Sequence, residues 1–367
     1  MMYAASVRLG ITVRLLAEGP AVSAAQVVHD VTVGDYTDPE TVRRFAAGCD
    51  VITFDHEHVP TSILRELETA GVQVRPGPDA LIHAQDKVIM RQRLTAAQLP
   101  CPAWRAVADA AQLQAFAADQ GGYPVIAKAA RGGYDGKGVW QIKSDAEAVA
   151  LFAGLTDGVQ ILAEEFVDFD RELSALVVRS PSGQAVAYPI SESIQTDGIC
   201  TETITPAPGL SDDQAVACER LALQVAQELG VVGVLAVELM QRRDGSVVIN
   251  ELAMRPHNTG HWSIDGSHTS QFENHLRAVL DLPLGDPAMR TPWTVMSNVL
   301  GGSVVDLPSA LLHCFARDRR LRVELYGKEV RPGRKVGHVN AFGDDLAETR
   351  RRARHAANYL MGIEDHV

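Results

Sequence analysis

Residues 231–240 form an apolar, β-rich run, Asp244-Gly245 is a two-residue turn signal, and Ser246-Val-Val-Ile-Asn-Glu251 alternates back. This pattern predicts a β-hairpin, and few features constrain a fold as tightly, because a turn fixes the register of everything that follows it. A turn centred on Asp244-Gly245 pairs Arg243 with Ser246, and the same register carries Glu238 opposite Glu251. Directly opposed side chains hold their Cβ atoms roughly 4.5–5.5 Å apart, and like charges there are destabilising. The pair therefore calls for one shared proton or a hard divalent cation; Mg²⁺ held by one or two carboxylates plus substrate phosphates is a common arrangement. The competing reading is two solvated glutamates on an edge hairpin.

A chain of 367 residues exceeds one hydrophobic core, so two or three domains are expected. Hydrophobic residues at 46% and charged residues at 22% describe an ordinary globular protein, and a net charge of −12 argues against a nucleic-acid surface. Small anionic substrates remain compatible, since a basic pocket can sit inside an acidic protein. Cys49, Cys101, Cys200, Cys218 and Cys314 are odd in number, widely spaced and free of any C-x-x-C pair, which fits reduced thiols and offers no zinc site. No apolar run approaches the ~18–20 residues of a membrane span and no signal peptide opens the chain, so the expected location is the cytoplasm, without membrane or nucleic-acid partners.

Along the first hundred residues, expected strands at 12–16, 31–33, 51–54 and 72–74 alternate with expected helices at 1–9, 40–47 and 61–70. Such alternation predicts a parallel sheet covered on both faces. No strand or glycine-rich turn precedes the first helix. A helix is expected from Ala84 to Gln98, stopped by Pro100 and Pro102. Residues 123–164 read as strand, glycine-rich loop, strand, helix near 145–152 and strand, a small lid on a larger body. Beyond it come a β-rich stretch over 171–205 with a Ser182-Gly183 turn, a helix from 211 to 229 capped by Ser211, the hairpin, and a helix near 270–280. Further strands and a polar helix over 344–360 complete the chain.

Four stretches carry chemistry. Tyr123 to Trp140 joins two strands through a loop with four glycines in seven residues, suited to cover phosphates, with Lys137 in the loop and Lys128 on the preceding strand; no G-K-[ST] opens a helix, so it is not a P-loop. Glu164-Glu-Phe-Val167 ends a strand where main-chain groups could meet an adenine, with Glu172 placed for ribose hydroxyls; a solvated acidic turn is the alternative. Arg255, His257, Asn258 and His261 crowd the loop after Glu251, where Arg255 could clamp an anion and the histidines could donate to phosphoryl oxygens or shuttle protons. Their spacing matches no closed zinc site. Lys328, Arg331, Arg334 and Lys335 concentrate positive charge around a Pro-Gly turn, either a monophosphate site or a solvated turn.

Together these stretches resemble the ATP-grasp enzymes, and within them the N5-carboxyaminoimidazole ribonucleotide synthetases of purine biosynthesis. The resemblance rests on Asp55-His-Glu-His-Val-Pro60, Arg75-Pro-Gly-Pro78, Ala84-Gln-Asp-Lys87, the Gly132–Gly138 loop, Glu164 to Val167, Asn250-Glu251, Arg255-Pro-His-Asn258 and Arg331-Pro-Gly-Arg-Lys335. It implies an α/β and α+β chain with the ATP-grasp fold. Residues 1–84 would form a Rossmann-like parallel-sheet domain, 85–292 the ATP-grasp region with its lid at about 101–164, and 293–367 a β-rich subdomain closing the substrate site. It implies that Lys87 and Lys128 contact ATP phosphates beneath Gly133, Tyr134, Asp135, Gly136, Lys137 and Gly138. Glu164, Glu165, Phe166 and Val167 would line the adenine, Glu172 and Gln195 the rest of the nucleoside, and Glu238 and Glu251, helped by Asn250, would hold Mg²⁺, with Mn²⁺ as an alternative. Arg255, His257 and Lys128 would be catalytic, Arg255 anchoring bicarbonate. Glu57, Tyr134, Asn258, His261, Lys328, Arg334 and Lys335 would bind 5-aminoimidazole ribonucleotide, the three basic residues at its 5'-phosphate. A homodimer is also implied.

The implied reaction phosphorylates bicarbonate with ATP to carboxyphosphate, then carboxylates the exocyclic amine of the ribonucleotide. Two departures accompany it. Gln195 stands where many relatives carry a histidine, and relatives place a strand and a G-G-G-Q-L-type turn before the helix that here begins at Met1. Either the start lies upstream or part of the substrate pocket is missing. Two alternatives therefore stand beside the synthetase: a catalytically impaired ATP-binding protein and a formate-using ribonucleotide transformylase.

Overall fold

Capping residues and turns set most element boundaries in the computed structural model, which describes residues 1–132, 138–156 and 158–364. Helix α1 (Met2–Leu9) leads into β1 (Arg14–Ala17), which pairs in parallel with β2 (Asp30–Val33). Helix α2 (Pro39–Ala46) starts on Asp38, whose carboxylate accepts from the amides of Glu40 and Thr41, and α3 (Thr61–Thr69) follows. The expected strands at 51–54 and 72–74 shrink to one parallel bridge, Ile52 with Val74, held by Ile52 N to Gln73 O and Arg75 N to Ile52 O. That bridge does not hydrogen-bond to the β1–β2 pair, so neither segment acquires the second neighbour that would extend it into a strand.

The single helix expected over 84–98 is two, α4 (Pro78–Gln85) and α5 (Lys87–Ala96). Asp86 divides them: its φ/ψ of −134°/109° is extended, and its side chain accepts from Val88 N and Ile89 N to start α5. A side-chain cap offers the backbone an alternative to helix continuation, which is why an aspartate here breaks the run.

The lid comprises β3 (Trp104–Val107), α6 (Ala110–Asp119), β4 (Val125–Ala129), β5 (Val139–Ile142), α7 (Asp145–Gly154) and β6 (Ile161–Glu165). Its four-stranded antiparallel sheet runs β3-β6-β4-β5 over a small core of Val107, Leu113, Phe116, Val125 and Ile161. Neither β3 nor α6 is anticipated by the sequence patterns above.

The body is a nine-stranded sheet. It contains β7 (Phe169–Arg179), β8 (Ala185–Ala187), β9 (Ser191–Thr196), β10 (Ile199–Thr205), β11 (Gly233–Arg242), β12 (Val247–Ala253), β13 (Trp293–Leu300), β14 (Arg322–Leu325) and β15 (Lys335–Gly343). The order is β12-β11-β7-β9-β10-β13-β15-β14, with β8 on β7, so the last three strands join the central sheet through β10. Helix α8 (Asp212–Glu228), started by a capping box of Ser211 and Gln214, packs on β7, as α10 (Gln271–Val279) packs on β11; the short α9 (Ser263–Gly266) precedes α10. The C-terminal helices α11 (Leu307–Arg317) and α12 (Leu346–Met361) cover Val295, Val299, Val339 and Ala341. Among the described residues no helix is long and apolar enough to cross a membrane.

Candidate active site

Glu238 on β11 faces Glu251 on β12, as expected, but by a different route. Next to the turn, Gln241 pairs with Val247, Met240 with Val248 and Leu239 with Ile249, and Arg242 N donates to Ser246 O at 2.8 Å. The loop is thus Arg243-Asp244-Gly245, one residue longer than anticipated, with Gly245 at φ 85° and Asp244 Oδ1 accepting from Ser246 N at 2.9 Å. Three-residue hairpin loops with a left-handed residue at the last position are a common alternative to the two-residue turn. Continued unbroken, this register would set Glu238 against Asn250. It shifts between Leu239 and Glu238, leaving Asn250 as the extra residue of a β-bulge, and the bulge brings Glu251 into place.

Lysines meet both side chains of the bulge. Lys87 Nζ lies 2.6 Å from Glu251 Oε1, and Lys128 Nζ donates to Asn250 Oδ1 at 2.9 Å. Lys128 also lies 2.7 Å from Glu164 Oε2, while Arg91 Nε contacts Glu164 Oε1 at 2.5 Å and Arg91 Nη2 donates to Asn250 O at 2.7 Å. Burial pushes the Glu164 carboxyl up, but Lys128 and Arg91 outweigh it and hold the group below its ordinary range. Arg91 was missed from sequence. Its signal is the Lys87-x-x-x-Arg91 spacing, which puts both cations on one face of α5.

Burial, the facing Glu251 and nearby Glu172 push Glu238 up to about 8. Two unit charges about 5 Å apart repel by roughly 3 kcal/mol at an effective dielectric near 20. A single net hydrogen bond of about 1 kcal/mol does not offset that. His257 Nε2 sits 3.4 Å from Glu238 Oε1, yet burial, then Arg255 and Lys335, lower His257 to about 3, so this is a neutral imidazole and not an ion pair. Its Nδ1 meets Thr259 Oγ1 at 2.8 Å, which reaches Ser174 Oγ at 2.6 Å. Among the described residues no group of three or more His, Cys, Asp or Glu could hold a metal by itself. The donor set is two carboxylates that need a counter-charge and leave further positions to a ligand's oxygens, which fits Mg²⁺.

On the far side of the hairpin, Arg255 Nε binds Glu57 Oε2 at 2.7 Å, and Glu57 Oε1 accepts from Met254 N at 3.0 Å. Two residues placed separately by sequence are therefore one unit. Asn258 and Asn298 exchange amide hydrogen bonds at 2.9 and 2.7 Å. His261 lies 3.2 Å from Tyr326 Oη, which is 2.7 Å from His338 Nδ1. Burial lowers both imidazoles, His338 to about 3. Asn298, Tyr326 and Ser174 carry no sequence signal, since they act through Asn258, His261 and Thr259, which lie 40, 65 and 85 residues away.

At the nucleotide edge the structure narrows the expectations. The carboxylates of Glu164 and Glu165 are both committed: Glu165 Oε1 lies 2.6 Å from Arg242 Nη2 and accepts from Ala103 N at 3.0 Å. The main chain of this segment and the Phe166 side chain are left to meet an adenine. Phe166 is exposed, Val167 is buried with Met240 and Val248, and Gln195 Nε2 donates to Glu172 Oε2 at 2.7 Å. In the basic loop, Glu329 pairs with Arg331 at 2.6 Å, Lys328 Nζ lies 5.5 Å from the Tyr326 ring centre, and Arg334 is exposed. Lys335 is the member whose charge acts on Glu238, His257 and His261. Gly138 immediately precedes β5, whereas Gly133, Tyr134, Asp135, Gly136 and Lys137 lie outside the described residues.

Three family profiles match in order: a ribonucleotide synthetase preATP-grasp domain over residues 1–85, an ATP-grasp domain over 92–272, and a phosphoribosylaminoimidazole carboxylase C-terminal domain over 294–352. The chain is 52% identical over 364 residues to the N5-carboxyaminoimidazole ribonucleotide synthase of Mycobacterium tuberculosis, covering 98% of this chain and 85% of that protein. It superposes on the Thermus thermophilus N5-carboxyaminoimidazole ribonucleotide synthetase with a TM-score of 0.87 at 34% identity, covering 100% and 96% of the two chains. It also superposes on an Aspergillus clavatus synthase solved with ADP and 5-aminoimidazole ribonucleotide, with a TM-score of 0.89 at 29% identity over 99% and 96%.

Proposed function

The chain belongs to the N5-carboxyaminoimidazole ribonucleotide synthases, ATP-grasp ligases of purine biosynthesis, and from that premise we propose how its own residues perform the carboxylation. The reaction is the ATP-dependent conversion of 5-aminoimidazole ribonucleotide to its N5-carboxy derivative. Bicarbonate is the carbon source: one of its oxygens attacks the γ-phosphorus, the bond to ADP breaks, and carboxyphosphate forms. The ribonucleotide amine then bonds to the carboxyl carbon, the C–O bond to phosphate breaks, and the amine gives up a proton. Identity over 98% of the chain to a synthase sets the formate-using alternative aside.

One observation supports the residue roles above the others, the opposition of Glu238 and Glu251 with Lys87 and Lys128 at the Asn250 bulge. Phosphoryl transfer needs positioning and charge neutralisation more than covalent help. Glu238 and Glu251 would hold Mg²⁺, which when bound neutralises charge on the transferring phosphoryl group. Lys87 and Lys128 orient the phosphates, and shielding a hydrolysable intermediate from water is the role the resemblance gives the glycine-rich loop that follows β4. Arg255, its Nε edge fixed by Glu57, presents its remaining guanidinium edge to bicarbonate. His257, held neutral, can donate to an oxygen without adding charge to the carboxylate pair. Lys335, with Lys328 and Arg334, receives the ribonucleotide phosphate.

Five free cysteines support a reducing, cytoplasmic setting, and a homodimer is carried forward from the resemblance. The deciding measurement is ADP release with bicarbonate, with and without 5-aminoimidazole ribonucleotide. Stimulation by the ribonucleotide is expected, and its absence favours the impaired ATP-binding protein.

A further inference from the structure

Arg91 is fully buried, a costly place for a guanidinium, and the roles assigned above make no use of it. It closes a ring. Nε holds Glu164 at 2.5 Å, Glu164 holds Lys128 at 2.7 Å, Lys128 holds the Asn250 side chain at 2.9 Å, and the Asn250 carbonyl accepts from Arg91 Nη2 at 2.7 Å. The ring joins lid strands β4 and β6 to the bulge of β12 through α5. Stability does not account for such a device, because well-packed apolar residues in place of a buried ionic cluster are often neutral or stabilising.

Its charge count suggests what it does. Two cations share one carboxylate, so the ring carries a surplus positive charge, and of the two cations Arg91 is fully buried while Lys128 keeps 11% of its side chain accessible. Were Lys128 the only counter-ion of Glu164, moving toward a phosphate would strand a carboxylate that is 2% exposed. With Arg91 present, Glu164 stays paired whichever way Lys128 turns. The second edge of the guanidinium meanwhile pins the carbonyl of the bulge that sets Glu251 against Glu238.

We propose that Arg91 is a positioning residue for nucleotide binding, holding Glu164 so that Lys128 is released to the phosphates of ATP, and holding the Asn250 bulge so that Glu251 stays in register. This rests on Lys128 being a phosphate contact. The residue acts through its neighbours and touches no substrate.

The test uses the full chain and reads initial rates against ATP, ADP affinity by calorimetry, and thermal stability. In Arg91→Met the KM for ATP rises on the order of tenfold, while the KM for the ribonucleotide stays put. Adding Glu164→Gln removes the stranded carboxylate and recovers most of the loss. Arg91→Lys falls between, since it keeps the charge but lacks the fixed fork that meets Glu164 and the Asn250 carbonyl together. An unchanged KM for ATP in folded Arg91→Met, or a deeper loss on adding Glu164→Gln, overturns the proposal. Should Arg91→Met fail to fold, an unchanged KM for ATP in Arg91→Lys overturns it instead. Lys128→Met separates the two levels. If that variant binds ADP as the parent does, the phosphate role of Lys128 fails; if it loses affinity while Arg91→Met keeps it, only the role of Arg91 fails.

Discussion

Lys87 Nζ lies 2.6 Å from Glu251 Oε1, so the carboxylate that faces Glu238 across the hairpin is already partly neutralised from α5. Among the described residues Glu238 meets no lysine or arginine at that distance, only the neutral His257 at 3.4 Å, and burial together with Glu251 and Glu172 raises it to about 8. The pair is thus asymmetric. One member meets a lysine across an ion pair, and the other calls for a proton or a cation.

Glu251→Gln is therefore expected to abolish most Mg²⁺-dependent turnover and to leave the fold intact, because it removes like-charge repulsion along with one ion pair. Steady-state ADP release and a thermal melt check it together. Loss of the folded state with no metal effect would sink the metal-site assignment.

Arg255→Lys keeps the charge but loses the fork that lets Nε stay on Glu57 while the other edge meets an anion. A lost charge-assisted hydrogen bond of about 1.5–3 kcal/mol corresponds to a rise of roughly 10- to 100-fold in KM for bicarbonate. Rates measured against bicarbonate at saturating ATP test this, and an unchanged bicarbonate KM would remove Arg255 from that role.

The Glu165–Arg242 contact at 2.6 Å ties the end of β6 in the lid to the hairpin strand β11. Both side chains are partly exposed, so Glu165→Ala should cost little stability, within the roughly 0.2–1 kcal/mol of such pairs. Hydrogen exchange at β3 and β6 should nevertheless quicken, and ADP release without the ribonucleotide should rise as the lid closes less well. Unaltered exchange would show that the tether does not restrain the lid.

Burial lowers His275 to about 4; its Nδ1 accepts from Val234 N at 3.1 Å, leaving Nε2–H to donate to Thr53 Oγ1 at 2.7 Å. An unfolded histidine titrates near 6.5. Between those values the unfolded state binds the extra proton, so this group's contribution is complete above about pH 6.5 and is lost as pH falls toward about 4. Denaturation of parent and His275→Gln across that window should show a shallower slope in the variant, by up to ~1.4 kcal/mol per pH unit. Parallel slopes would contradict it.

Much of the site was legible before any coordinates, because residue type and local spacing carry it. The cap at Ser211, the helix before Pro100, the paired glutamates and the two lysines are short-range signals. Where the outcome differed, a tertiary partner decided. The split at Asp86 depends on a cap, and the strands at 51–54 and 72–74 lacked the neighbours that would have extended them.

The sequence by itself determined that Glu238 would oppose Glu251 and which family the motifs resemble. Only the tertiary structure decided how that opposition is reached, through a three-residue loop and a compensating bulge at Asn250. It alone joined Arg91 to Glu164 across 73 residues, Arg91 to Asn250 across 159 and Glu57 to Arg255 across 198. Local patterns record propensity and periodicity within a few residues. A buried charge finds its partner only when packing has brought distant strands and helices together and withdrawn the water that would otherwise have solvated it.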